Sequence, residues 1–356
     1  MNAPNDVRSM LVESVTRLLQ DYVDQKLLDA AKQDGWSQEL WQNLDQAEFP
    51  RVSLPEEVGG AGGTLSDLAA VLRIAGRFAA PVPLAETAML AGWMLAASGL
   101  SIPRGALAAG PVHEETVTAR REGSRWIVSG KLSRVPWARI ASRLVLLAQT
   151  ATEAIVASVD PARCRIVAGR NLAGEPRDAV VLEDVPAEQA ARAGAGVTRD
   201  ALRLRGALAR SLLMAGALER TLELSVEYAQ QRVQFGRKIG QFQAIQHEIA
   251  RLGGETAAAV AAALSAAGTM ERGGDVTLAV ASAKIRTAEA AREGALIAHQ
   301  IHGAIGVTDE YALHHSTLRL WAWREEYGNE AEWTAALGGA IQRGGAEQFW
   351  PTITAQ

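Results

Sequence analysis

The chain has 356 residues, 48% hydrophobic and 21% charged, with 36 Lys and Arg against 40 Asp and Glu for a formal net charge of −4. This composition excludes a mainly disordered or collagen-like chain, and the slight acidity argues against a dedicated nucleic-acid binder, which presents a net basic surface. The length suffices for roughly two or three domains and a sizeable buried core.

The N-terminal part reads as helical. Residues 7–23 place Met10, Leu11, Val15, Leu18, Leu19 and Tyr22 at spacings of three and four, one apolar stripe. The stretch 53–63 holds Pro55 and the glycines 59, 60, 62 and 63, which predicts a loop. A second helix is expected over 64–78 with Thr64 as its N-cap, and a third follows Pro81 and Pro83 as far as about residue 97. The longest apolar stretch, 87–99, falls short of the roughly 20 residues that span a bilayer and reads as a buried helix, so no membrane span is expected. Met1-Asn2-Ala3-Pro4 carries no charged segment followed by an apolar run, so no secretion leader is read there.

From about 103 to 197 the pattern changes to short β-like runs at 125–130, 143–148 and 154–159, separated by polar turns and glycines. Beyond about 199 four long helical segments are expected, near 201–231, 241–271, 276–303 and 311–344. Their short connections predict antiparallel neighbours in a bundle. The alanine-rich run 256–268 reads as close helix packing. The predicted fold class is therefore α+β: an N-terminal α-helical domain (1–102), a middle β-barrel-like domain (103–199) and a C-terminal four-helix bundle (200–356). Cys164 is the single cysteine, which excludes an intrachain disulfide, fits a reducing compartment such as the cytoplasm, and lacks a sequence-adjacent histidine to activate it. Among the six histidines, no set has the convergent spacing a metal needs, and the adjacent His314 and His315 are expected to point to different faces.

Three motifs then stand out in chain order. Leu54-Pro55-Glu56-Glu57-Val58-Gly59-Gly60 is the first. The segment from Tyr228 to His247, containing Arg232-Val233-Gln234-Phe235-Gly236-Arg237 and Gln243, is the second. His299-Gln300-Ile301-His302-Gly303-Ala304-Ile305-Gly306-Val307-Thr308-Asp309-Glu310-Tyr311 is the third. Together they resemble the acyl-CoA dehydrogenase family across nearly the whole chain. A guanidinium suits a pyrophosphate through paired hydrogen bonds, and Phe235 offers a flat apolar face.

The resemblance implies bound FAD, an acyl-CoA substrate, electron transfer to an electron-transferring flavoprotein, and self-association as a dimer or a dimer of dimers. It implies that Arg232 and Phe235 reach the FAD of a neighbouring subunit, and that Gln243, Gln300 and Gly303 line its adenosine and pyrophosphate. It also implies a buried carboxylate that removes the acyl α-proton while the β-hydride leaves. The family's position for that glutamate falls on Tyr327, with Glu326 one residue early, and the alternative position on an earlier helix falls on Gly206. Glu326 is the expected base. The β-domain departs from the family too: 109–116 lacks its Thr-Glu-x-x-x-Gly-Ser loop, and Arg134-Val135-Pro136 stands where Trp-Ile-Thr is usual. Besides the dehydrogenase reading, two others follow: a non-catalytic partner of a paralogue that carries the glutamate, and a flavin monooxygenase on the same scaffold.

Overall fold

The computed structural model describes residues 4–348 and 350–351, and the leader expectation at the N-terminus falls on residues 1–3, outside those described. The chain forms two compact units. One holds Pro81–Gly206 together with the chain up to Val71, and the other holds Leu72–Ala80 and the chain from Ala207 onward.

The first unit opens with α1 (Pro4–Tyr22), α2 (Gln25–Asp34) and α3 (Gln38–Gln46). Along α1 the expected stripe is only partly buried: Val15 and Leu19 are inside while Met10 is 62% exposed. Asp24 and Ser37 cap α2 and α3 by accepting from the amides of Leu27 and Leu40. The glycine-rich loop precedes α4 (Leu65–Arg77). Thr64 caps α4 as expected: its hydroxyl accepts from the Asp67 amide and the Asp67 carboxylate accepts from the Thr64 amide, the reciprocal arrangement of a capping box. The apolar stretch after Pro83 is buried but begins as a π-helix, Glu86–Gly92, before α5 (Trp93–Ala97).

Strand then replaces helix. β1 (Leu107–Gly110), β2 (Val117–Glu122), β3 (Arg125–Pro136), β4 (Arg143–Gln149), β5 (Ala154–Val159), β6 (Arg165–Val167), β7 (Arg177–Pro186) and β8 (Gln189–Arg192) form one eight-stranded sheet. Its order is β6-β7-β3-β2-β4-β5-β8, with β1 parallel to β4. Val128, Leu144, Leu146, Ile155, Ala157 and Val180, each 0% exposed, make its core. The half-buried Cys164 borders that core, and burial pushes its thiol up to about 11, so it stays protonated and unreactive.

The second unit is helical: α6 (Arg199–Gln231, shared with the first unit up to Gly206), α7 (Gln243–Arg272), α8 (Thr277–His302), α9 (Leu313–Trp323) and α10 (Glu330–Gly344). α7 lies along α8, with buried Ala259, Ala263, Ala266 and Ala267 on one and a run of buried alanines on the other. Small side chains there permit close approach, as the alanine-rich segment suggested. The end of α4 crosses α6 backbone to backbone: a Cβ on Gly216 would lie 1.8 Å from the Arg73 carbonyl oxygen, and one on Gly76 would lie 2.1 Å from that of Leu213. The last expected helix, 311–344, is two helices. Tyr327 and Gly328 have φ of +56° and +94°, left-handed conformations that end α9, and Asn329 caps α10 by accepting from the Glu332 amide.

Candidate functional site

Two places in the helical unit gather the residues that the sequence singled out. The first lies where α6 ends. The chain leaves α6 at Gln231 and forms a small hairpin, β9 (Val233–Gln234) paired with β10 (Arg237–Lys238), before entering α7. Phe235 and Gly236 make its two-residue turn with φ of +52° and +79°. Both values are positive, as a type I′ turn requires, which suits Gly236 and strains Phe235. Phe235 is also 92% exposed. An aromatic side chain held in a costly conformation and pointed at solvent is the kind of local strain that marks a ligand site.

Behind the hairpin is a cavity of about 590 Å³, within the usual range for small-molecule sites. Arg232, Phe235, Gln300 and Gly303 all line it. Gln243 stands beside it, exposed at the first position of α7, while the lining is completed by its neighbours Phe242 and Ala244. No carboxylate lines the cavity, and among the described residues Arg232 has no carboxylate partner. α7 begins here with no side-chain cap, and its first residues Ala244 and Ile245 line the cavity, which places the positive end of the helix dipole beside it. A guanidinium, an uncapped helix start and an exposed ring suit a ligand that joins a phosphate group to flat rings. The cavity residues therefore fit the adenosine and pyrophosphate of FAD.

Sequence reasoning missed His302 and Tyr228 in this wall. His302 is 4% exposed, donates from Nδ1 to the Ala298 carbonyl at 2.8 Å, and stacks on Tyr228 with ring centroids 4.6 Å apart. Burial is the largest influence and lowers the His302 pKa, against the raising effect of backbone carbonyls, so the ring is neutral at pH 7. The signal for both residues was their place inside the two motifs. His314 and His315 also differ from expectation: their ring centroids are 4.0 Å apart, because both sit in the first turn of α9.

The second place is the corner between α9 and α10. Glu326 is there, 6% exposed, and Arg210 of α6 donates to it from Nε at 2.6 Å. The Arg210 guanidinium lies 5.3 Å from the centre of the Tyr327 ring. Lys284 of α8, 0% exposed, donates to the carbonyls of Arg324 at 2.7 Å and Trp323 at 3.4 Å. Burial pushes the Lys284 amine down to about 7, opposed by the charges of Glu326 and Glu325. Trp333 pins the corner by donating from Nε1 to the Tyr327 carbonyl at 3.0 Å. Glu326 thus faces a guanidinium across a short, buried ion pair. Gly206 is buried within α6. The two buried cations were not singled out from sequence, although Lys284 stands in an alanine-rich stretch of α8, where a cation is unexpected.

In the β-sheet unit, Arg134 and Trp137 have φ of +51° and +61°, and Val135 between them is fully buried. Glu115 accepts from the Ser133 amide at 3.0 Å and from its hydroxyl, which ties the 109–116 stretch to β3.

Comparison with known proteins gives a consistent result. The family model described as acyl-CoA dehydrogenase, N-terminal domain, matches residues 5–101, and that described as acyl-CoA dehydrogenase, C-terminal domain, matches residues 192–329. Acyl-CoA dehydrogenase IpdE2 of Mycobacterium tuberculosis is 30% identical over 323 residues, covering 87% of this chain and 90% of that protein. Among solved structures, the ChsE4–ChsE5 complex from Mycobacterium tuberculosis contains a chain similar to this one with a TM-score of 0.86 and 23% identity, covering 97% of this chain and 99% of the other. A variant of the Tcur3481–Tcur3483 steroid ACAD gives 0.83 and 25%, covering 96% and 99%.

Proposed function

Because the chain belongs to the acyl-CoA dehydrogenase family, an oxidoreductase family acting on CH–CH groups, we propose that it is an FAD-dependent enzyme that converts an acyl-CoA thioester to its trans-2-enoyl form. The observation that carries this reading is the cavity at the hairpin, where Arg232, Phe235, Gln300, Gly303 and the open start of α7 converge. Arg232 pairs with the pyrophosphate, Phe235 covers a ring of the cofactor from a neighbouring protomer, and Gln300 and Gly303, with Gln243 beside them, border the adenosine half. When bound, FAD accepts the hydride that leaves the acyl β-carbon. The domain limits at 102 and 199 fit the changes from helix to strand between α5 and β1 and back between β8 and α6. The steroid enzyme among the structural relatives supports a bulky acyl group as substrate, and electron-transferring flavoprotein is the proposed acceptor.

In this reading Glu326 takes the α-proton, which requires its release from Arg210. Breaking a buried pair costs about 3–5 kcal/mol. That ion pair favours a second reading, in which this chain completes a cofactor site and a paralogous subunit supplies the carboxylate, as the ChsE4–ChsE5 complex supports. Anaerobic addition of an acyl-CoA to the FAD-loaded protein separates the two. Bleaching by the chain alone, abolished in Glu326→Gln, supports the first. Bleaching only after co-expression with a paralogue, unaffected by Glu326→Gln, supports the second.

A further inference from the structure

The β-sheet unit has a cavity of its own, of about 670 Å³, at the turn between β2 and β3. Arg121, Arg125 and Arg163 all line it. Two other arginines of this sheet are neutralised by carboxylates. Arg120 pairs with Asp184 at 2.6 Å and Glu122 at 2.7 Å, and Arg192 pairs with Glu153 at 3.2 Å. Among the described residues, Arg121, Arg125 and Arg163 have no carboxylate partner. The one acid in the lining, Glu188, is already held by Arg143 at 2.5 Å. Three guanidiniums thus share one concavity whose single carboxylate is already paired elsewhere, and like charges placed together raise the attraction for an anion.

The rest of the lining adds a second kind of recognition. Leu100 and Trp126 supply half-buried apolar surface, and Arg121 lies 5.5 Å from the centre of the Trp126 ring, which fixes its guanidinium over the indole. Ser124 at the turn adds a hydroxyl. Guanidinium forks pair with phosphoryl oxygens through two parallel hydrogen bonds, and an aromatic base gains from apolar and indole surface.

We infer that this cavity is a second ligand site, separate from the hairpin cavity, that takes a nucleoside diphosphate: phosphoryl groups on Arg121, Arg125 and Arg163, and the base against Leu100 and Trp126. It does not depend on the dehydrogenase reading, because no residue of it belongs to the hairpin cavity.

The test is calorimetric titration of the FAD-saturated protein, whose hairpin cavity is filled, with ADP and with inorganic pyrophosphate. The expected result is one ADP site per chain, with ADP tighter than pyrophosphate and both weakened by added salt. The double variant Arg125→Gln with Arg163→Gln weakens both ligands at least tenfold. Both side chains are exposed, so its melting temperature matches that of the parent. Absence of binding to the FAD-saturated protein, or unchanged affinity in the double variant, overturns the site. Equal affinities for ADP and pyrophosphate overturn the assignment of a nucleotide.

Discussion

Phe235 combines local backbone strain with exposure, and its proposed role is to serve FAD binding at that cost. Its backbone occupies the left-handed region at the first position of a type I′ turn, where asparagine is favoured. Phe235→Asn therefore keeps or raises the melting temperature while lowering FAD affinity. A thermal melt and a fluorescence titration on the same sample check both halves, and a loss of stability with unchanged FAD affinity would contradict the assignment.

Lys284 makes a different prediction at the same scale. Its amine sits near 7 in the folded chain and near 10.5 when unfolded, so between these values the unfolded chain binds more protons. Stability must then rise with pH across that window, at up to about 1.4 kcal/mol per pH unit, and the gain is lost as pH falls through about 7. Cys164 acts oppositely above about 9, where its unfolded thiol ionises first, so urea titrations from about pH 7 to about pH 9 isolate the lysine. Lys284→Met should flatten the slope; an unchanged slope would show that another group carries it.

At the scale of elements, the crossing of α4 and α6 is the tightest constraint. A methyl group on Gly216 would overlap the Arg73 carbonyl, which is backbone and cannot swing away. Gly216→Ala should destabilise the chain by about 1–3 kcal/mol or more, measured by urea unfolding. Gly253 in α7, with open space around it and ordinary helical backbone, offers a control position for a comparable change. The helices, the three β runs and the Thr64 cap were legible in sequence because periodicity, proline, glycine and capping chemistry are local signals. The split of the last helix was less so. Tyr327 and Gly328 break it through left-handed backbone, a conformation that tyrosine gives no local signal for. The partner of Glu326 lies 116 residues earlier, and no local pattern points to a contact of that range. The cavity-lining Arg232, Phe235, Gln300 and Gly303, by contrast, were readable because two motifs carry them, while Gln243 lies beside the lining.

For the whole molecule, the proposed function requires that the hairpin cavity hold FAD. Among the described residues no helix is long and apolar enough to cross a membrane. The direct measurement is equilibrium FAD binding to the purified chain, alone and co-expressed with a paralogue, against Arg232→Gln. Saturable FAD binding is expected in at least one of the two preparations, with an affinity at least tenfold weaker in the variant, the scale of one lost charge-assisted pairing of about 1.5–3 kcal/mol. No FAD bound by either preparation at saturating concentration, or equal affinity with and without the Arg232 guanidinium, would contradict it.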